Sequence, residues 1–117
     1  MKFRIEFYES VQGRCPVRDF LENLKDTAHD DFAVILAGLN KLKLRVYHRP
    51  PLSKPIGDGL YELRHVGRLN TRIFYFFASG KRIILVHGFL KKGRKIPGHE
   101  RRVALKRKLD WETRYSK

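Results

Sequence analysis

A chain of 117 residues, 42% hydrophobic and 32% charged, is the size of one domain, long enough to bury a core without staples and too apolar to be disordered. The single Cys15 excludes an intramolecular disulfide, and the lack of a signal peptide or of an apolar run of about 18 or more residues predicts a soluble cytoplasmic protein with no membrane segment. The formal net charge of +14 is uneven: residues 1–58 carry 10 Lys/Arg against 8 Asp/Glu, and residues 59–117 carry 16 against 4. Such a surplus repels itself in the compact state, which points to a polyanionic partner, nucleic acid being the commonest, over a merely soluble basic surface.

Phe3, Ile5 and Phe7 alternate with Lys2, Arg4, Glu6 and Tyr8, which predicts a first strand with one buried face. Pro16 suits a first helical turn, and Val17, Phe20, Leu21 and Leu24 follow at helical spacing, so a short amphipathic helix is expected from Pro16 to Lys25. A second stripe, Phe32, Ile35, Leu36, Leu39, Leu42 and Val46, predicts a longer helix that ends before Pro50 and Pro51. Asp30 and Asp31 at its start and Lys41, Lys43 and Arg45 at its end suit its dipole. The two helices should form an antiparallel hairpin whose stripes are core. Tyr47 to Gly59, rich in Pro and Gly and carrying His48, Arg49 and Lys54, reads as a connecting loop whose cations could also touch phosphates.

The stretch from Leu60 to Lys95 reads as a three-strand meander. Ser79-Gly80 predicts a two-residue hairpin pairing Ala78 with Lys81, which sets Phe76 opposite Ile83, Phe74 opposite Leu85 and Arg72 opposite His87. A three-residue turn at Gly67-Arg68-Leu69 would pair Val66 with Asn70 and Arg64 with Arg72, and a two- or four-residue turn would flip Arg64 to the opposite face. On the first of these registers one face carries Leu60, Phe74, Phe76, Ile83 and Leu85, and at its cationic end Arg64, Arg72 and His87. The other, with Tyr61, Leu63, Ile73, Tyr75, Phe77, Ile84 and Val86, would receive the helical hairpin. A last helix from Pro97 to Tyr115 has no clean apolar stripe among Val103, Ala104, Leu105, Leu109 and Trp111, so weak packing on the sheet and an electropositive wall bearing Arg101 and Arg102 are expected. The expected fold is one α+β domain over residues 1–117. Its sheet is the N-terminal strand plus the meander, with a helical hairpin on one face and a C-terminal helix.

Two arginines opposite each other repel, and an anion bound between them would turn that liability into a site; Lys91, Lys92, Arg94 and Lys95 leave the third strand in the same region. No zinc-spaced Cys/His cluster, Walker A loop or GxGxxG fingerprint is present, so neither a metal nor a cofactor is expected. A cationic site of this kind suits phosphodiester cleavage by RNA's own 2′-hydroxyl. That reaction needs a base, cations to stabilise the phosphorane and an acid for the leaving oxygen. A Lys crowded by cations can exchange a proton, while Arg stays charged and clamps phosphate.

GLYELR at 59–64, RIFYFF at 72–77 and HGFLKKGRKIP at 87–97, followed by a helix with Ala104, resemble RelE/HigB toxins of type II toxin–antitoxin systems, specifically the phage-derived Gp49-like (HigB-like) branch. The resemblance covers nearly the whole chain. It implies a RelE/ParE-like twisted sheet and a ribosome-dependent mRNA endoribonuclease that inhibits translation, with ribosome and mRNA as targets and a helix-turn-helix, HigA-like antitoxin as neutralising partner. By motif, Arg72 takes the position of a phosphate-binding Arg, Lys91 and Lys92 that of the basic pair after the last strand, and Arg64 falls near a basic catalytic position. Glu62 stands where some relatives carry a second Lys, and the tyrosine that RelE carries early in its last helix has no match, Tyr115 lying far downstream. Lys91, Lys92 and His87 remain alternative bases, with Lys54, Arg68, Arg94, Lys95, Arg101 and Arg102 as RNA-phosphate contacts. A ParE-like gyrase inhibitor, which shares the fold without the catalytic cluster, and a non-catalytic basic RNA-binding module are the alternatives.

Overall fold

The computed structural model of the chain describes residues 2–64 and 70–115. The alternating first segment forms β1 (Arg4–Phe7), and Pro16 opens helix α1 (Pro16–Thr27). Helix α2 (His29–Lys41) is shorter than the apolar stripe suggested. Leu42 is its C-cap, and Val46 stands more than half exposed in the 3₁₀ turn Arg45–Tyr47. His48 Nε2 lies 2.6 Å from the Leu42 carbonyl, and its ring packs between Phe3 and Phe77, so this histidine closes the end of α2.

The segment read as a loop contains a strand, β2 (Ser53–Gly57), antiparallel to β3 (Leu60–Arg64). Pro55 disguised it: a residue that cannot donate to a ladder argues against a strand, but β2 is at the sheet edge, where that donor is not needed. Its Ser53 is fully buried, with its hydroxyl on Tyr75 Oη. Burial raises the Tyr75 pKa to about 12, so the phenol stays protonated at any physiological pH.

With β4 (Thr71–Ala78) and β5 (Arg82–Leu90) the sheet runs β1-β5-β4-β3-β2, β1 parallel to β5 and every other pair antiparallel. The β3–β4 register sets Arg64 opposite Arg72 as expected, although the turn at Gly67-Arg68-Leu69 lies outside the described residues. The β4–β5 register differs from expectation by one residue. Ala78 faces Arg82, because Ser79, Gly80 and Lys81 form the loop, with Gly80 and Lys81 both at positive φ. A lysine in the left-handed region is costly enough that the two-residue turn was the natural reading. The consequence is an exchange of faces along β5. Ile83 and Leu85 join Leu63, Ile73 and Tyr75 under α1 and α2, while Ile84 and Val86 join Leu60, Phe74 and Phe76 on the opposite side.

A bulge between Phe74 and Tyr75 then inserts an extra β5 residue, so that Tyr75 faces Leu85 but Phe74 faces His87. His87 thus returns to the Phe74 face, where it was expected. Its partner across the strand is Phe74, and Arg72 faces Phe89.

Helix α3 (Gly98–Tyr115) covers that second face, beginning one residue after Pro97. Its packing is firmer than the broken stripe implied. Ala104 is fully buried and Trp111 8% exposed, the Trp111 ring edge-on to Phe76 at 5.4 Å, while Lys108 and Arg82 lay their cations over Phe76 and Trp111. Long basic side chains with apolar stems supply the surface a pattern of hydrophobic letters misses. Asp110 fastens the last turns, accepting from Tyr8 Oη at 2.6 Å and Arg114 Nη2 at 2.8 Å.

On the other side α1 sits so close to β5 that a Cβ on Gly88 would lie 2.5 Å from the Phe20 ring. Gly88→Ala should therefore lower stability by about 1–3 kcal/mol through forced displacement of α1. A denaturation midpoint equal to that of the wild type would show that the ring can move aside.

Candidate functional site

Strand pairing builds two rows on the α3 side of the sheet. Lys54, Glu62, Phe74 and His87 stand opposite one another in the first, and Arg64, Arg72 and Phe89 in the second. Three of the polar groups in these rows form one cluster. Glu62 Oε1 is 3.6 Å from Arg64 Nε, and Glu62 Oε2 is 3.3 Å from Arg72 Nε. Glu62 and Arg72 are each only 3% exposed, whereas the Arg64 side chain is 32% exposed.

The anion between the two arginines is thus supplied by the chain itself. Glu62 offsets the repulsion of the facing guanidinium groups, and Arg72 Nη1 also donates to the Thr71 carbonyl at 3.3 Å. Burial, with Arg64 adding to it and Glu62 opposing it, lowers the pKa of Arg72 from its usual value, but a guanidinium remains cationic at any working pH. Arg72 is the inner member of the cluster and Arg64 is the one that reaches solvent.

His87 is bound on both sides by α3. Arg107 Nη1 lies 3.1 Å from His87 Nδ1 and donates to the Val86 carbonyl at 2.8 Å; His87 Nε2 lies 2.7 Å from Glu100 Oε1. A guanidinium can only donate, so Nδ1 is the acceptor and Nε2 carries the hydrogen given to Glu100. Burial is the largest influence on the imidazole and lowers its pKa from 6.5; Arg107 and His99 act in the same direction and Glu100 against them. The neutral ring stacks on Phe89, centroids 5.5 Å apart.

Beyond β5 the Lys91 amide donates to the Asn70 carbonyl at 3.0 Å, which returns the chain to the open end of the two rows. Lys91 is half-buried, Lys92, Arg94 and Lys95 are exposed, and Gly93 at φ +80° turns the segment. Lys54 is exposed beside Glu62. Arg101 is turned elsewhere: its Nη2 donates to Asp58 at 2.6 Å, at the β2–β3 turn. Arg102 is exposed on the first turns of α3, and Arg68 lies outside the described residues.

Three participants were not anticipated in these roles. Glu62 as counterion was available from the alternation of β3, which sets it on the Arg64 face. Glu100 and Arg107 carried no such signal, because their meeting with His87 depends on how α3 crosses the sheet. Among the described residues no group of three His, Cys, Asp or Glu gathers as a metal site, and no helix is long and apolar enough to cross a membrane.

The state of His87 has a consequence for acid stability. Its pKa is depressed in the folded protein, so below about pH 6.5 the unfolded chain takes up a proton that the native ring resists, and stability falls with falling pH. Above that pH both states are neutral and the contribution is constant. Denaturation midpoints from pH 7.5 down to 5 should fall less steeply in His87→Gln than in the wild type; equal slopes would place the titrating group elsewhere.

A model of the phage-derived Gp49-like protein family matches residues 19–109, most of the chain and all of the two rows. No curated protein sequence matches it. The α+β sheet with its C-terminal helix agrees with the RelE-like fold expected from the motifs. The family is associated with the toxins of toxin–antitoxin systems, which implies an antitoxin partner. The chain belongs to the phage-derived Gp49-like family, a family of RelE/HigB-like toxins.

Proposed function

We propose that this toxin is a type II ribosome-dependent endoribonuclease acting in the cytoplasm, cutting mRNA through the RNA's own 2′-hydroxyl and neutralised by a helix-turn-helix antitoxin. The observation that carries this reading is the solvent-facing cation Arg64, held in place by the buried Glu62–Arg72 pair, with the basic segment that starts at Lys91 bonded to Asn70, two residues before Arg72. A flexible surface arginine loses entropy when it clamps a phosphate; one already fixed by a buried counterion loses less.

In the proposed reaction Arg64 binds the scissile phosphate and stabilises the charge that builds on it. Lys91 and Lys92 exchange the two protons: one residue takes the 2′-OH proton, the other gives a proton to the departing 5′-oxygen. The products are a 2′,3′-cyclic phosphate and a free 5′-hydroxyl. Arg72 orients Arg64 through Glu62. His87, with both ring nitrogens engaged, holds Phe89 and the start of α3 behind the site. Lys54, Arg94, Lys95 and Arg102, with Arg68 from outside the described residues, would track the RNA backbone; Arg101, paired with Asp58, contributes less.

Purified protein added to translating ribosomes should cut the message, and Arg64→Ala should reduce the rate by about 10²–10³-fold while leaving the fold intact. An intact message would overturn the reading, and DNA damage with toxicity surviving Arg64→Ala would favour gyrase as the target. Glu62→Ala behaves differently: it removes the buried carboxylate that pairs with Arg72 and should cost about 3–5 kcal/mol of stability. A variant that unfolds no more readily than the wild type would exclude that buried pair.

A further inference from the structure

A cavity of about 780 Å³ opens between the segment after β1 and the flank of α3 that bears Val103, Lys106, Arg107 and Asp110, within the range of about 300–1,000 Å³ usual for small-molecule sites. Its apolar walls are Val11, Pro16 and Val103, with Tyr8 also lining it, and Arg14, Lys106 and Arg107 supply its cations. Its acidic residues offset these only in part. Asp110 is committed to Tyr8 and Arg114, so Asp19 alone faces three positive side chains. Arg14 and Lys106 form no ion pair among the described residues. Arg107 is half-buried, and its hydrogen bonds to Val86 and His87 use Nη1 alone, leaving Nε and Nη2 unspent. A half-buried guanidinium with donors open to a cavity suits an anionic ligand.

We propose that this cavity takes one nucleotide of the RNA strand, its phosphate on Arg14, Lys106 and Arg107 and its base against Val11, Pro16 and Val103. The assignment rests on the RNA-cutting reading and extends it to a second contact on the same strand. Arg107 joins the two places: it lines the cavity and bonds His87, which stands in the row of Glu62 and stacks on Phe89 beside Arg72. The Ser10, Gln12 and Asp19 side chains of the cavity offer hydrogen-bonding groups to a base edge.

The test uses binding without cleavage. A short 2′-O-methyl RNA, which lacks the attacking hydroxyl, is titrated into methyl-labelled wild-type protein, into Arg14→Ala/Lys106→Ala and into Lys25→Ala/Arg45→Ala, in which exposed cations on α1 and in the 3₁₀ turn are removed; adenosine monophosphate forms a parallel arm. Saturable shifts of the Val11 and Val103 methyl resonances are expected, with Kd weakened about tenfold in the first double variant and unchanged within about twofold in the second. Absence of those shifts, or equal weakening in both variants, overturns the proposal; shifts with the mononucleotide alone overturn the assignment to an RNA strand. Wild-type protein that binds the oligonucleotide in this way but leaves messages uncut would sink the cleavage reading and leave the cavity standing.

Discussion

An arginine in the central strand of a sheet covered on both sides must find an anion, and much of the molecule follows from how Arg72 finds one. Strand β4 is buried from Thr71 to Phe76, so Arg72 sits among Phe74, Ile73 and Phe89 with almost no access to water. An unpaired guanidinium there would cost several kcal/mol. The neighbouring strand supplies Glu62, whose carboxylate is as deeply buried, and its second oxygen leans toward Arg64. This cluster ties β3 to β4 at the end of the sheet, and it converts a problem of burial into an aimed surface cation. The arginine that fold stability requires and the arginine that can meet a phosphate are different residues sharing one carboxylate.

The second determinant is a pair of one-residue offsets that cancel. The Ser79–Lys81 loop shifts β5 so that Ile83 and Leu85 turn toward the helical hairpin, and the bulge at Val86 turns the strand back. As a result Val86 and His87, although adjacent, both serve the α3 side. His87 can then meet Glu100 and Arg107, which anchor the first half of α3 while Tyr8, Asp110 and Arg114 anchor the second. A helix with no clean apolar stripe is held by polar ties at both halves and by Ala104 and Trp111 between them. That firm seat gives the cationic rows a wall and leaves a cavity along its flank, beside the segment after β1.

Much of this was legible in the chain. Proline and hydrophobic spacing marked α1 and α2, alternation marked β1, and one of the registers weighed for β3 and β4 set Arg64 opposite Arg72, as observed. The charge asymmetry and the three motifs pointed to the toxin family that the match over residues 19–109 supports. What was missed has local physical causes. Pro55 hid an edge strand, a lysine took a left-handed turn position, and basic stems replaced aliphatic side chains on α3. The reading that an anion bound between Arg64 and Arg72 would turn their repulsion into a site did not weigh Glu62, two residues from Arg64 on the same face.

By itself the sequence determined most of the elements and the positive surplus of the second half, because those depend on short-range periodicity and composition. Only the tertiary structure decided which cations are available. Arg101 is tied to Asp58 and Arg114 to Asp110 and Glu9, while Arg72 is buried and Arg64 is not. Burial and most of these pairings join residues far apart along the chain, and α3 brings its partners together only when it crosses the sheet. The uniformly basic stretch at the end of the meander becomes a site because the fold covers or commits some of its charges and leaves others, Arg64 foremost, facing water.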